Sequence, residues 1–559
     1  MKTKKSTKPG NTPQLSRLLL PALLLPAAGV FVAFGLLPDL FEVRKHKEIL
    51  AALYEEVNME YVDEVSPSEL MRTGVDAMLS SLDPYTVYFS ESEVGDARME
   101  STESYGGIGA GLLPRDGQVA LGQLHEGGAA QAAGLLPGDI IVSINGRSAL
   151  GRTADEIAAF LNGQAGAAIR LTVNRNGQQL EKTLSRTETS RSNLVWHGML
   201  DANTGYIKIG QFGPRTADEF RQALLELREK GLENMVIDLR DNPGGILQEA
   251  VALCNLFIEK GQLIVSTKGK NPANDRSFPT LTEALDTSLP LTVLVNSRSA
   301  SASEIVAGAF QDMDRAVIIG QRSFGKGLVQ VNKPLPYNAQ LKVTIAKYYI
   351  PSGRCIQALD YTHRNPDGSV GKIPDSLVSS FKTKNGRTVQ DGGGILPDVL
   401  VERSSPSKVG QSLLEKGLIF DYATVYRQRH DSIASPKEFE FTEKDYQDFI
   451  NFLSGKNYTY STESERLLEK YRETALEEHY FEAIRKDYES LRQQLTNAKK
   501  NDLQHHREEI IGLLEEEIAG RYYYESGRLQ ASFGEDAELR QAMELLDKPE
   551  RYLAILQIN

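Results

Sequence analysis

Apolar positions along this chain change period from segment to segment. Ile49, Leu53, Val57 and Tyr61 recur at a spacing of four, so residues 42–100 are predicted to be helical, ending in Ser81-Leu82-Asp83-Pro84-Tyr85. Gly205–Phe212 reads as a strand, and Met235–Leu239, Leu289–Val295 and Ala316–Gly320 are short, mostly apolar runs, the pattern of strands buried on both faces. Between them Thr216–Glu229 and Ile246–Phe257 keep helical spacing. Alternating strands and helices predict a largely parallel sheet with its site at the C-terminal ends of the strands. Leu341–Tyr349 alternates at period two, and residues 358–393, rich in Asp, Asn, Ser and Gly, read as an inserted loop. Residues 440–559 are charged and mostly helical, as in Arg466–Arg492 and Glu508–Tyr524. Ile510, Leu513, Leu514 and Ile518 keep helical spacing there, which predicts a packed appendage rather than a tail.

Glycine changes the picture between 104 and 188. Tyr105-Gly106-Gly107-Ile108-Gly109-Ala110-Gly111-Leu112 leads into a strand, and Gly138-Asp139-Ile140-Ile141 with Asn145-Gly146 forms a hairpin signal. A helix (Thr153–Leu161) and a strand (Ala168–Asn174) follow, and the whole resembles a PDZ domain. Consecutive N–H groups of Gly106, Gly107, Ile108, Gly109, Ala110 and Gly111 would form a nest for a peptide's terminal carboxylate, and the next strand edge would pair with the peptide.

The candidate chemistry sits in two loops that follow apolar strands. Ser301 lies in the small-residue run Asn296-Ser297-Arg298-Ser299-Ala300-Ser301-Ala302-Ser303-Glu304, ahead of a helical pattern. Such a run lets a side chain stand above the turn while backbone N–H groups point at whatever it attacks. Lys326 lies in Phe324-Gly325-Lys326-Gly327. Flanking glycines allow close packing, and a desolvated lysine loses its proton readily. A neutral amine beside a serine hydroxyl is a general base beside a nucleophile.

These residues, with Gln311-Asp312 and Arg315-Ala316, resemble the C-terminal processing (tail-specific) peptidases over roughly residues 45–400. The resemblance implies an α/β multidomain chain: a ClpP/crotonase-like α/β protease core with an inserted, β-rich PDZ domain, an N-terminal helical segment and a C-terminal helical appendage. It implies Ser301 as nucleophile, Lys326 as base and Gln330 as the residue that orients the lysine. The oxyanion hole would fall on Gly244 or Gly245, in Arg240-Asp241-Asn242-Pro243-Gly244-Gly245, together with Ala302. Asp312 suits a salt bridge or helix role better than chemistry. Where many relatives carry Leu-Arg-Gly at the end of the PDZ helix, this chain has Leu161-Asn162-Gly163. Any coupling that needs that arginine would have to run differently or be weaker here. The expected domains are residues 1–41 (cytoplasmic tip with anchor or signal), 42–103 (N-terminal helical segment), 104–188 (PDZ), 189–405 (protease core) and 406–559 (C-terminal helical region).

Composition narrows the alternatives. A net charge of −12 over 559 residues, without a basic block beyond the first residues, disfavours nucleic acid as a partner. Cys254 and Cys355 are expected to be free, and neither CxxC nor HExxH occurs; no metal and no cofactor is expected. None of the eight histidines is placed near Ser301 by its spacing. Gly320–Lys326 matches the first seven positions of a P-loop, but Gly327 stands where a Ser or Thr would hold magnesium. Lys2, Lys4, Lys5, Lys8 and Arg17 precede an uncharged stretch, residues 18–37, long enough to cross a bilayer once. The reading favours an uncleaved anchor over a cleaved signal and puts the rest of the chain in the periplasm. The expected function is an envelope serine endopeptidase acting on proteins or peptides with free C-termini. The helical region would offer a surface for an envelope adaptor or a homodimer. The competing reading is a catalytically inactive PDZ scaffold that binds protein C-termini.

Overall fold

The computed structural model describes residues 1, 41–94, 105–115, 117–188, 192–402 and 406–558. The expected anchor at residues 18–37 lies outside the described residues; among those described, no helix is long and apolar enough to cross a membrane. The chain divides into two units, Met1–Tyr88 and Phe89–Asn559.

In the first unit the predicted helical stretch is two helices, residues 41–60 and Pro67–Ser80. Pro67 starts the second at a position where a missing N–H costs nothing, and Ser66 caps it by accepting from the Glu69 N–H. The Tyr54 hydroxyl donates to the Pro67 carbonyl at 2.8 Å, tying one helix to the other. The turn at Asp83-Pro84 is built by the Asp83 carboxylate, which accepts from the N–H groups of Tyr85 and Thr86 at 2.8 and 2.9 Å.

The second unit begins with the PDZ fold. Strands Ala110–Arg115, Gln118–Leu124, Ile140–Ile144, Ala168–Arg175 and Gln178–Ser185 form one antiparallel sheet in that order. Leu121, Ile157, Leu171 and Val173 fill its core. The motif residue Asp139 is buried: it accepts from the Leu136 N–H and pairs with Arg175 at 2.7 Å, fixing the hairpin's entry. Asn145 and Gly146 turn the hairpin with positive φ of 49° and 79°. The PDZ helix, Ala154–Leu161, starts with a reciprocal cap between Thr153 and Glu156.

The region expected as the protease core is built on a six-stranded sheet in the order Leu194–Met199, Thr204–Ile209, Asn234–Asp238, Leu291–Val295, Val317–Gly320 and Val399–Leu400. All pairs are parallel except the first. Helices Thr216–Glu229, Leu247–Asn255 and Ala302–Asp312 bury one face through Phe220, Leu253, Phe310 and their neighbours. Asp312 serves structure: it is buried, pairs with Arg354 at 2.8 Å and accepts from the Ser352 N–H. A second sheet contains Leu263–Lys268, Arg276–Pro279 and the long hairpin Leu328–Pro334 with Gln340–Tyr349. The 358–393 stretch, expected as a loop, folds instead into two small hairpins, Leu359–Arg364 with Val370–Lys372 and Ser380–Lys382 with Thr388–Gln390.

The helices expected as one C-terminal region divide into groups. Lys408–Glu415, Leu418–Arg429, Glu443–Phe452 and the first half of Arg507–Ser532 pack on each other around Leu413, Tyr422, Phe449 and Leu514, while Glu463–Glu477 and Phe481–Lys499 pair with each other. Ala537–Leu546 and Pro549–Leu556 lie instead on the second face of the core sheet, against Tyr206, Val236, Leu294 and Val317. The reason is visible in the strands: apolar on both faces, they need a second layer, and the last helices supply it. Helix Arg507–Ser532 breaks at Tyr524 (φ 58°), whose ring packs against the PDZ core. Both cysteines are free.

Candidate active site

Two adjacent parallel strands, Asn234–Asp238 and Leu291–Val295, run at their C-terminal ends into the two turns that hold the candidate residues. The turns are fastened to each other. The Ala300 N–H and the Ser303 hydroxyl both donate to the Asn242 carbonyl at 3.0 Å, and the Ser299 hydroxyl donates to Leu239 O at 2.8 Å. Ser299 and Ser303 are fully buried and spend their hydroxyls on this architecture. Ser301, between them, is partly exposed, has φ 56° and ψ −113°, and lines a cavity of about 770 Å³. A positive φ is strained for a serine and marks a backbone held by its surroundings.

What holds it is Glu304. Its carboxylate is fully buried and accepts four hydrogen bonds: from the Ser301 N–H (2.8 Å), the Ser323 hydroxyl (2.6 Å), the Gly325 N–H (2.6 Å) and the Lys326 N–H (2.9 Å). Oε2 alone takes both the Ser301 and the Lys326 amides. Burial pushes the Glu304 carboxyl up from its ordinary value, against the pull of these donors. Sequence reasoning gave this glutamate no role, although Ser301-Ala302-Ser303-Glu304 has the spacing of a capping box.

The Lys326 loop is held from its other side by backbone. Ala358 N–H donates to Gly325 O, Tyr348 N–H to Gly327 O, and Gly327 N–H to the Gln357 side chain. A Cβ on Gly325 would lie 2.3 Å from that of Ala358, and one on Gly327 would lie 2.8 Å from the Gln357 nitrogen. Only glycine permits these approaches. The Tyr348 hydroxyl donates to the Lys326 carbonyl. Downstream the chain enters a strand, Leu328–Pro334, not the helix a P-loop requires.

Lys326, Gln330, Gly244, Gly245 and Ala302 line the same cavity as Ser301. Gln330 donates to the Thr344 hydroxyl at 3.1 Å. Gly244 (φ 98°) presses against the serine turn: a Cβ there would lie 2.6 Å from Ala300 O, 2.7 Å from Ser301 Cβ and 2.8 Å from the Ala302 nitrogen. Its own N–H donates to Asn242 Oδ1 at 2.8 Å. The N–H groups of Gly245 and Ala302 have no such partner among the described residues. No histidine lines the cavity, and no metal-holding group occurs among the described residues.

A second unforeseen set lies behind the glycine turn. Asp238, fully buried, accepts from Tyr206 (2.6 Å), Lys208 (3.2 Å) and Arg240 (2.7 Å). Arg240 reaches on to Asp536 at 2.6 Å and Glu538 at 3.2 Å, at the start of the helix covering the second face. Burial alone would raise the Asp238 carboxyl; Arg240 and Lys208 override it and hold it well below the usual carboxylate range.

In the PDZ fold, Gly106 and Gly107 are taken up by a small sheet with Glu188 and Thr187, so the open part of the glycine run is narrower than expected. The N–H groups of Ile108 and Gly109 have no partner among the described residues, while their carbonyls accept from Ala130 and His125. Ala110 and Gly111 lie in strand Ala110–Arg115, which ends the sheet and, among the described residues, pairs on one side only. Beside Asn162, where many relatives carry arginine, a guanidinium arrives from elsewhere: Arg186 donates to the carbonyls of Leu161 (2.8 Å) and Phe160 (3.1 Å).

Comparison with known protein families agrees with this domain order. Profiles match for peptidase family S41 over residues 203–370, a PDZ domain over 122–175, and the C-terminal helical domain of probable PDZ-proteases over 409–546. The carboxy-terminal-processing protease of Bartonella bacilliformis is 35% identical over 316 residues, 56% of this chain and 72% of its own. A probable CtpA-like serine protease of Staphylococcus haemolyticus is 30% identical over 390 residues, 67% of this chain and 76% of its own. Among solved structures, the photosystem II D1 C-terminal processing protease aligns with 62% of this chain and 91% of its own at 24% identity and a TM-score of 0.35. The chain belongs to peptidase family S41, as a carboxy-terminal processing serine protease with a PDZ domain.

Proposed function

We propose that the protein is an endopeptidase that captures protein C-termini on its PDZ domain and cuts them with a Ser301–Lys326 dyad. One observation carries this: the two residues line one cavity, and their backbone amides share a single buried carboxylate oxygen of Glu304. Lys326, as the neutral amine, takes the Ser301 proton while the hydroxyl oxygen attacks the scissile carbonyl. The oxyanion forms next to the serine turn, where the uncommitted N–H groups of Ala302 and Gly245 are the donors at hand. Gly244 serves by its shape, since its own N–H is occupied. The protonated lysine returns its proton to the leaving amine, and water then releases the acyl group. Gln330 borders this chemistry and keeps the lysine oriented.

The tail's carboxylate would sit at the N–H groups of Ile108 and Gly109, its strand adding to the open edge of Ala110–Arg115. The basic N-terminus and the uncharged stretch 18–37 support tethering to a membrane with the protease outside the cytoplasm. The C-terminal helices supply a surface for an adaptor or a second copy. Cleavage of an unstructured protein with an apolar C-terminal tail tests the central reading. Wild type cuts; Ser301→Ala and Lys326→Ala bind the tail without cutting. Equal behaviour of wild type and Ser301→Ala would leave a tail-binding scaffold.

A further inference from the structure

Helix Ala537–Leu546 packs on the second face of the sheet through Leu539, Ala542 and Leu545, against Val236, Leu294 and Val317. At its start stand two carboxylates, Asp536 and Glu538, with a task beyond that packing. Asp536 caps the helix by accepting from the Leu539 N–H at 2.9 Å. It also takes the Arg240 guanidinium on two prongs, at 2.9 Å through Nη1 and 2.6 Å through Nη2. Glu538 divides its oxygens between two partners. Oε2 accepts from Arg240 at 3.2 Å, and Oε1 accepts from the Gln321 side-chain amide at 3.1 Å. With Asp238 accepting from Nε and Nη2, every N–H donor of Arg240 is committed.

Both partners of Glu538 stand at strand exits that lead to the site. Arg240 follows strand Asn234–Asp238 and opens the turn that carries Asn242, Gly244 and Gly245. Gln321 follows strand Val317–Gly320 and precedes the Lys326 loop. In the sheet these two strands flank Leu291–Val295, whose own exit carries Ser301. Glu538 thus bridges two strands across the end of the one between them, a span of about 10 Å at ordinary strand spacing. Glu304 fastens the Ser301 turn to the Lys326 loop, and Glu538 fastens the glycine turn to the strand that feeds that loop. Arg240, Asp536 and Glu538 are mostly buried. Desolvating such a network costs about as much as its attractions return, so its yield is a fixed geometry rather than stability.

We infer that Asp536 and Glu538 are positioning residues for the cleavage reaction, holding the glycine turn and the Lys326 loop in place around Ser301. This rests on the peptidase reading and extends its machinery to the last helices. Neither carboxylate lines the cavity; each acts through Arg240 or Gln321.

The test measures kcat and KM separately for the full chain, with a peptide substrate, at a temperature where every variant is folded. Glu538→Ala is expected to lower kcat about ten- to 100-fold and leave KM within about twofold. Glu538→Gln should keep kcat within about threefold of wild type. Its amide can still accept from Arg240 and, with the Gln321 amide turned over, donate to it. Asp536→Asn retains a good cap but weakens the grip on Arg240, and should lower kcat about tenfold. Gln321→Ala should lower kcat by itself and add little to Glu538→Ala, because both remove one bridge. It also carries the test if Glu538→Ala folds poorly. The structural control is Leu545→Ala, which loosens the same helix through its packing. That variant should melt earlier yet keep wild-type kcat while folded. Wild-type kcat in both Glu538→Ala and Gln321→Ala overturns the inference, and so does an equal fall in Leu545→Ala; either leaves the peptidase reading standing. Cutting by wild type no better than by Ser301→Ala overturns the peptidase reading itself.

Discussion

Glu304 accepts the backbone N–H of Lys326 at 2.9 Å through the same oxygen that takes the Ser301 amide. The Ser301 turn and the Lys326 loop, 25 residues apart in sequence, are thereby set by one buried group. A neutral amide cannot replace it, because its NH₂ would face N–H or O–H donors on one side or the other. Glu304→Gln is expected to lower kcat by at least about 100-fold and to cost roughly 2–4 kcal/mol of stability. Steady-state kinetics and denaturant unfolding check this; wild-type kcat in a stably folded variant would remove Glu304 from the account.

Gly244 sits where any side chain would push into Ala300, Ser301 and Ala302. Gly244→Ala also strains a backbone at φ 98°. The expected result is a fall in kcat of about 100-fold or more, with the PDZ domain's affinity for a tail peptide unchanged. Kinetics beside a peptide-binding titration read the two effects separately.

The three serines of the run should separate by phenotype. Ser299→Ala and Ser303→Ala remove buried hydroxyl bonds to Leu239 and Asn242. Each should cost about 1 kcal/mol, seen as a lower melting temperature, while cleavage persists. Ser301→Ala should leave the melting temperature near wild type and abolish cleavage. Loss of cleavage in all three at equal stability would contradict the assignment of roles.

Asp238 gives a pH signature. Its folded-state pKa is depressed, so its stabilisation is fully present above the unfolded carboxylate value of about 4 and is lost as pH falls below it. Asp238→Asn leaves Arg240, Lys208 and Tyr206 partly unmatched and should destabilise the chain by about 3 kcal/mol near neutrality. The gap between wild type and variant should stay constant down to about pH 5 and narrow from pH 4 downwards. Thermal melts across that range measure it; a gap that widens in acid would be the wrong sign.

Much of the core was legible because its cues are local. Apolar runs such as Met235–Leu239 and Leu289–Val295 reveal strands buried on both faces, and the motifs around Ser301 and Lys326 are contiguous. The structure brings all the expected core-site residues to one cavity. What escaped depends on distant partners. Asp536 meets Arg240 across 296 residues, and nothing in the charged C-terminal helices reveals that the last two cover the sheet. The polar stretch 358–393 hid two hairpins because its strands bury little and so show no apolar alternation. At Gly244 and Gly245 the sequence offered two equivalent donors, and only the Asn242 side chain distinguishes them.

The most direct measurement is the mass of the peptide containing Ser301 after acid quench of the full-length enzyme during turnover. The account predicts an acyl adduct on Ser301 in wild type, absent from both Ser301→Ala and Lys326→Ala. An adduct on another residue, or undiminished cleavage by Ser301→Ala, would contradict it.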